Sequence, residues 1–87
     1  IEGLRIFPNP ADNSFSVNFN LLNDAKVSMD VVDVTGKQVA TLNVGERAAG
    51  MCTQELSVKD LSLTSGVYFI DVSIDGATIS RKLIIRE

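Results

Sequence analysis

Histidine is absent from the 87 residues. That removes the commonest general base and the commonest metal ligand together. It also leaves every Ser and Cys without the imidazole that nucleophilic catalysis commonly needs. Tryptophan is absent as well, and the only aromatics are Phe7, Phe15, Phe19, Tyr68 and Phe69. At least three of these are needed for a core, which leaves few rings for stacking a sugar. The single cysteine, Cys52, rules out an internal disulfide framework. It reads as a small apolar core residue, with a reactive or intermolecular thiol as the alternative. A basic excess is missing: eight Lys and Arg face eleven Asp and Glu, net −3, with no basic stripe. This excludes nucleic acid as the expected partner and gives no support for an anionic membrane surface. The longest near-apolar stretches, Val67 to Val72 and Leu83 to Ile85, are far too short to span a bilayer, so no direct membrane insertion is expected. Ile1 opens the sequence without a basic n-region, so the chain reads as a mature protein or a piece of one. The lack of an initiator Met favours a piece.

What is present is a 45% hydrophobic content and a mean hydropathy of +0.18, too apolar for a disordered tail. The length suits one domain, residues 1–87, near the small end of what folds without staples. Apolar residues alternate with polar ones nearly throughout. Leu4-Arg5-Ile6-Phe7 reads as a first strand, stopped by Pro8-Asn9-Pro10. Phe15, Val17, Phe19 and Leu21 mark a half-buried second, and Val27, Met29 and Val31 a third. Asp33 to Lys37 reads as a hairpin loop in which Gly36 supplies a positive φ. A fourth strand runs from Gln38 to about Val44, and Gly45 to Gly50 reads as a polar loop. Cys52, Leu56 and Val58 mark a fifth strand. Asp60 to Gly66 forms a corner with Leu61 and Leu63 plugging one end of the core. Val67 to Ile74 and Thr78 to Arg86 are the last two, joined by Asp75-Gly76. Seven short strands without a helix predict an all-β, seven-stranded antiparallel immunoglobulin-like β-sandwich, with a partly open barrel as the alternative.

A two-residue loop at Asp75-Gly76 fixes the register of the closing hairpin. Ile74 then faces Ala77, Val72 faces Ile79, Ile70 faces Arg81 and Tyr68 faces Leu83. This is the better core face, with Arg81 at a rim. The opposite side pairs Val67 with Ile84, Phe69 with Lys82, Asp71 with Ser80 and Ser73 with Thr78. Its Val67, Phe69 and Ile84 form an apolar cluster with a polar rim, a candidate docking surface, unless a loop folds over it.

Chemistry finds little to work with. Asp24, Asp33, Asp60 and Asp75 stand where turn geometry alone favours Asp. Loop carboxylates such as Asp12 and Asp24 lack the spacing of an EF-hand. Gly36-Lys37 is followed by Gln38 and flanked by strands, unlike a phosphate loop. No catalytic residue, metal site or cofactor is expected.

Four features, in order, carry a resemblance. They are Leu4-Arg5-Ile6-Phe7-Pro8-Asn9-Pro10-Ala11; Val31-Val32-Asp33-Val34-Thr35-Gly36-Lys37-Gln38-Val39; Leu61 through Gly66-Val67-Tyr68-Phe69-Ile70; and Lys82-Leu83-Ile84-Ile85-Arg86-Glu87. Together they resemble the type A C-terminal sorting domain of the type IX secretion system, over essentially the whole chain. The resemblance implies a sandwich at the C-terminus of secreted cargo, which folds in the periplasm and is recognised by the outer-membrane secretion translocon. A sortase-like peptidase then removes it at the cell surface, cutting upstream of Ile1, and the cargo stays on the outer membrane or is released. The family motif falls on Pro8, Asn9, Pro10, Gly36, Lys37, Gly66 and Tyr68. Translocon recognition is expected at Lys82, Leu83, Ile84, Ile85 and Arg86, with Val67 and Phe69. The alternative role is an immunoglobulin-like spacer or adhesive module that binds sugar or protein. Residues 8–13 are a ready hinge for exchange of the first strand, giving a strand-swapped homodimer of the isolated domain.

Overall fold

A computed structural model describes residues 2–86. Seven strands follow one another: β1 (Glu2–Phe7), β2 (Ser14–Leu21), β3 (Ala25–Asp33), β4 (Gln38–Arg47), β5 (Gly50–Ser57), β6 (Gly66–Ile74) and β7 (Ala77–Ile85). They form two antiparallel sheets, one ordered β1-β2-β5 and the other β4-β3-β6-β7. The sheets stack as a sandwich rather than closing into a barrel. The pairings β2–β5 and β3–β6 join strands distant in sequence, the Greek-key interlocking of immunoglobulin-like folds.

The period-two pattern decides which side of each strand is dry. Phe15, Val17, Phe19 and Leu21 of β2 face Val27, Met29 and Val31 of β3 and Tyr68, Ile70 and Val72 of β6, all of them buried. Leu83 and Ile85 complete this core from β7, while Leu63 is buried at the corner and Leu61 packs beside it. The cysteine is part of this packing, 7% exposed on β5, and burial pushes its thiol pKa up. Burial thus disfavours the thiolate, the nucleophilic form.

Prediction and structure differ most at Gly45 to Gly50. No loop of that length exists there, because β4 continues to Arg47 and β5 starts at Gly50, leaving Ala48 and Ala49 as the connection. Two local features allow it. Gly45 adopts φ +87 where the β3–β4 register shifts between Val27 and Ser28, a bulge that bends the strand. Ala49 N–H then donates to Asp24 Oδ1 at 2.8 Å, pinning the crossover between sheets. Smaller differences lie at the termini of the last two strands. β6 starts at Gly66, and β7 spans Ala77–Ile85, so Arg86 lies just past it.

The hairpin register agrees at every position, from Ile74↔Ala77 to Val67↔Ile84. Its tip is also held from the side. Lys26 N–H donates to Asp75 Oδ1 at 3.0 Å, and Asp75 N–H donates to the Lys26 carbonyl at 3.1 Å. Asp75 itself takes φ +48, with Gly76 at +91, the pair of positive values that a type I′ turn requires.

Candidate recognition surface

The first motif and the last strand form one structure. Pro8 and Pro10 end β1 and carry no N–H, so the backbone around Asn9 is poor material for a ladder. The Asn9 carboxamide takes its place. Its Nδ2 donates to the Lys82 carbonyl at 2.9 Å, and its Oδ1 accepts from Ile84 N–H at 2.9 Å. Two residues on, Ala11 N–H donates to the Ile84 carbonyl at 2.8 Å and the Ala11 carbonyl accepts from Arg86 N–H at 2.8 Å. A residue bonded to the carbonyl of one partner and the N–H two positions later has the pattern of a parallel ladder. Ala11 accordingly makes a parallel bridge to Ile85, and the Asn9 side chain extends that ladder by one step opposite Leu83. The segment thereby crosses from the edge of one sheet to the edge of the other and covers the C-terminal half of the β7 margin. Ala11 is fully buried.

The outer face of the four-stranded sheet stacks in rows set by the register. Asn43, Ser28, Ser73 and Thr78 form one row, and Thr41, Asp30, Asp71 and Ser80 the next. Gln38, Val32, Phe69 and Lys82 form the third, followed by Val67 beside Ile84. Val67, Phe69 and Ile84 are half-buried, and Val32 joins them as a fourth apolar member. Val32 was legible in the sequence as the outward partner of Val31, yet only the β3–β6 pairing places it against Phe69. Asp30 and Asp71 stand directly opposite each other, an arrangement that costs stability between like charges. Hydroxyls partner both: Thr41 Oγ1 donates to Asp30 Oδ1 at 3.0 Å, and Ser80 Oγ donates to Asp71 Oδ1.

The residues expected to carry recognition therefore divide. Lys82 and Arg86 are exposed and Ile84 is half-buried at the sheet surface. Leu83 and Ile85 are 0% and 2% exposed and have their side chains in the core, where they hold β7 in place. Arg81, the misfit on the core side, is exposed at the rim and its Nη1 donates to the Ser80 carbonyl at 3.0 Å.

The other motif residues shape the scaffold. Asp33 Oδ1 accepts from Thr35 Oγ1 at 2.6 Å, Thr35 N–H at 2.9 Å and Lys37 N–H at 3.1 Å. Gly36 completes this loop at φ +88. The Thr35 hydroxyl is the main reason that the Asp33 carboxyl lies below the usual carboxylate range, helped by the two backbone N–H groups and the Lys37 charge. Tyr68 sits just past Gly66 at the start of β6, and its hydroxyl donates to the Thr64 carbonyl at 2.8 Å. This is the tyrosine corner of immunoglobulin-like sandwiches. Sequence reasoning placed the ring in the core but had no means to see the bond. Among the described residues no group of three or more potential ligands is placed to hold a metal ion.

Among solved structures, the chain is similar to PorZ, an essential bacterial surface component of the type IX secretion system of Porphyromonas gingivalis. The TM-score is 0.63 at 17% identity, over 98% of this chain and 12% of that one. It is also similar to FlgD from P. aeruginosa, with a TM-score of 0.54 at 26% identity, over 83% of this chain and 60% of that one. The chain thus spans only part of both. No curated protein matches it significantly. The profile of the family described as the secretion system C-terminal sorting domain matches residues 5–86.

Proposed function

The chain belongs to the family of secretion system C-terminal sorting domains, and on that premise we propose that the outer-membrane translocon reads the folded sandwich at β7 and the surface beside it. Domains of this family are sorting signals for type IX secretion, whose cargo reaches the cell surface or is secreted. The observation that carries the proposal is the Asn9 clamp. It ties the Pro8-Asn9-Pro10 motif to Lys82 and Ile84, so the two ends of the family pattern, 73 and 75 residues apart in these bonds, present one surface. The signal is then a folded shape rather than a linear tail. Exposed Lys82 and Arg86 and half-buried Val67, Phe69 and Ile84 are the side chains offered to the partner. Leu83 and Ile85 act indirectly by anchoring the strand.

On this reading the domain performs no catalysis, passes through the periplasm folded, and is separated from its cargo at the surface by a sortase-like peptidase. In isolation, exchange of β1 through residues 8–13 gives a dimer of twice the mass by light scattering; β1 is an edge strand with one partner, β2, which supports this route.

A periplasm-targeted reporter fused ahead of residues 1–87, in a strain carrying type IX secretion, tests the proposal. Export of the reporter is expected, with loss of export for Ile84→Ser in a domain that still folds. If the reporter stays periplasmic while an established sorting domain exports it, the proposal fails and a retained spacer or adhesive module becomes the better reading.

A further inference from the structure

The clamp covers half of the β7 margin and leaves the other half open. Lys82 O, Ile84 N and O, and Arg86 N all point away from β6 toward the 9–11 segment. Backbone direction alternates along a strand, so Thr78 N and O, Ser80 N and O and Lys82 N point the same way. Among the described residues, only the Ser80 carbonyl in this stretch has a partner on that side, the Arg81 guanidinium. The open stretch is also basic: residues 78–82 contain Arg81 and Lys82 and no acidic residue, with Arg86 following in the covered half, in a chain whose net charge is −3. No ion pair to these cations is found among the described residues. Asp71, the acidic side chain on the neighbouring strand, is held by Ser80.

We infer that the β7 margin from Thr78 to Lys82 accepts an extended acidic segment of a partner protein as an added strand. The inference rests on the sorting-signal reading and names the chemistry of the partner. Main-chain bonds to Thr78, Ser80 and Lys82 supply the attachment. Carboxylates on the incoming strand meet Arg81 on one face of the sheet and Lys82 on the other, and Arg81 leaves the Ser80 carbonyl as the strand enters. The same cations disfavour pairing with a second copy of this margin, because two basic strands would lie side by side. The edge is therefore closed to self-association and open to the opposite charge.

A labelled acidic hexapeptide, acetyl-Val-Glu-Glu-Val-Glu-Glu-amide, whose adjacent glutamates point to opposite faces of a strand, and its Lys-for-Glu counterpart provide the probes, followed by amide NMR on residues 1–87. The acidic peptide should bind at least about tenfold more tightly, shift and protect the Thr78, Ser80 and Lys82 amides, and weaken as salt rises. Ser80→Pro removes an outward N–H at an edge, where proline is tolerated, and should abolish binding. Thr41→Pro is the matched control on the opposite edge, since Thr41 bonds Asp30 as Ser80 bonds Asp71; it should bind as the unaltered chain does. Should Ser80→Pro unfold, Arg81→Glu with Lys82→Glu keeps the backbone edge and should reverse the preference between peptides. Equal binding of both peptides, shifts confined to the β4 edge, or binding unchanged by these substitutions would overturn the inference. Export is read separately: an unexported wild-type reporter sinks the sorting proposal, whereas export undiminished in a folded Ser80→Pro domain sinks strand addition alone.

Discussion

Replacing Asn9 with Ala tests whether the Pro8-Asn9-Pro10 motif is a structural clamp. The substitution removes two hydrogen bonds, to the Lys82 carbonyl and from the Ile84 amide. A hydrogen bond contributes roughly 0.5–1.5 kcal/mol net, and both groups here lie at an exposed edge where water replaces the lost partner. The expected cost is therefore about 1–2 kcal/mol, toward the lower part of the range for two bonds. For a domain of this size that lowers Tm by roughly 4–16 °C. Hydrogen exchange gives the sharper readout. The Ile84 amide should lose protection and Arg86 should follow, because Ala11 is positioned by the same segment. Phe19, fully buried within the β2–β5 pairing, should change only by the global loss of stability. A Tm within about 2 °C of the unaltered domain, together with unchanged protection at Ile84, would refute the clamp.

Three further predictions concern the scaffold. Tyr68→Phe removes the hydroxyl that donates to the Thr64 carbonyl and should cost about 1 kcal/mol in chemical denaturation while leaving the β-sheet circular dichroism intact. Gly36→Ala forces a side chain into φ +88 although nothing crowds its Cβ; the expected loss is about 1–2 kcal/mol of stability from backbone strain alone. Asp33 has a depressed folded pKa because of Thr35 and Lys37, so its contribution is present above the unfolded-state pKa and disappears as pH falls through the folded value. A carboxyl NMR titration should place Asp33 below its value in the unfolded chain, and Asp33→Asn should remove this component of the acid dependence.

Much of this protein is local. Alternation in Phe15 to Leu21 and Val27 to Val31, together with the Asp75-Gly76 turn, determines the strands, their buried sides and the register of the closing hairpin, because side-chain period and turn length are properties of a few adjacent residues. The absence of histidine likewise bounds the chemistry without any coordinates. The Gly45–Gly50 stretch reads as a loop because its glycines, alanines and charged pair show no apolar alternation; the partner strand β3 and the Asp24 anchor are what extend β4 through it. The hairpin register already turns Leu83 inward and Lys82 and Ile84 outward, whereas only the tertiary structure could join Asn9 to Lys82 and Ile84 and set Val32 beside Phe69. Those contacts link residues tens of positions apart, and which edge of β7 stays open depends on where a different strand ends. Sequence patterns report what a segment prefers; the sandwich decides which of its hydrogen bonds are left for a partner.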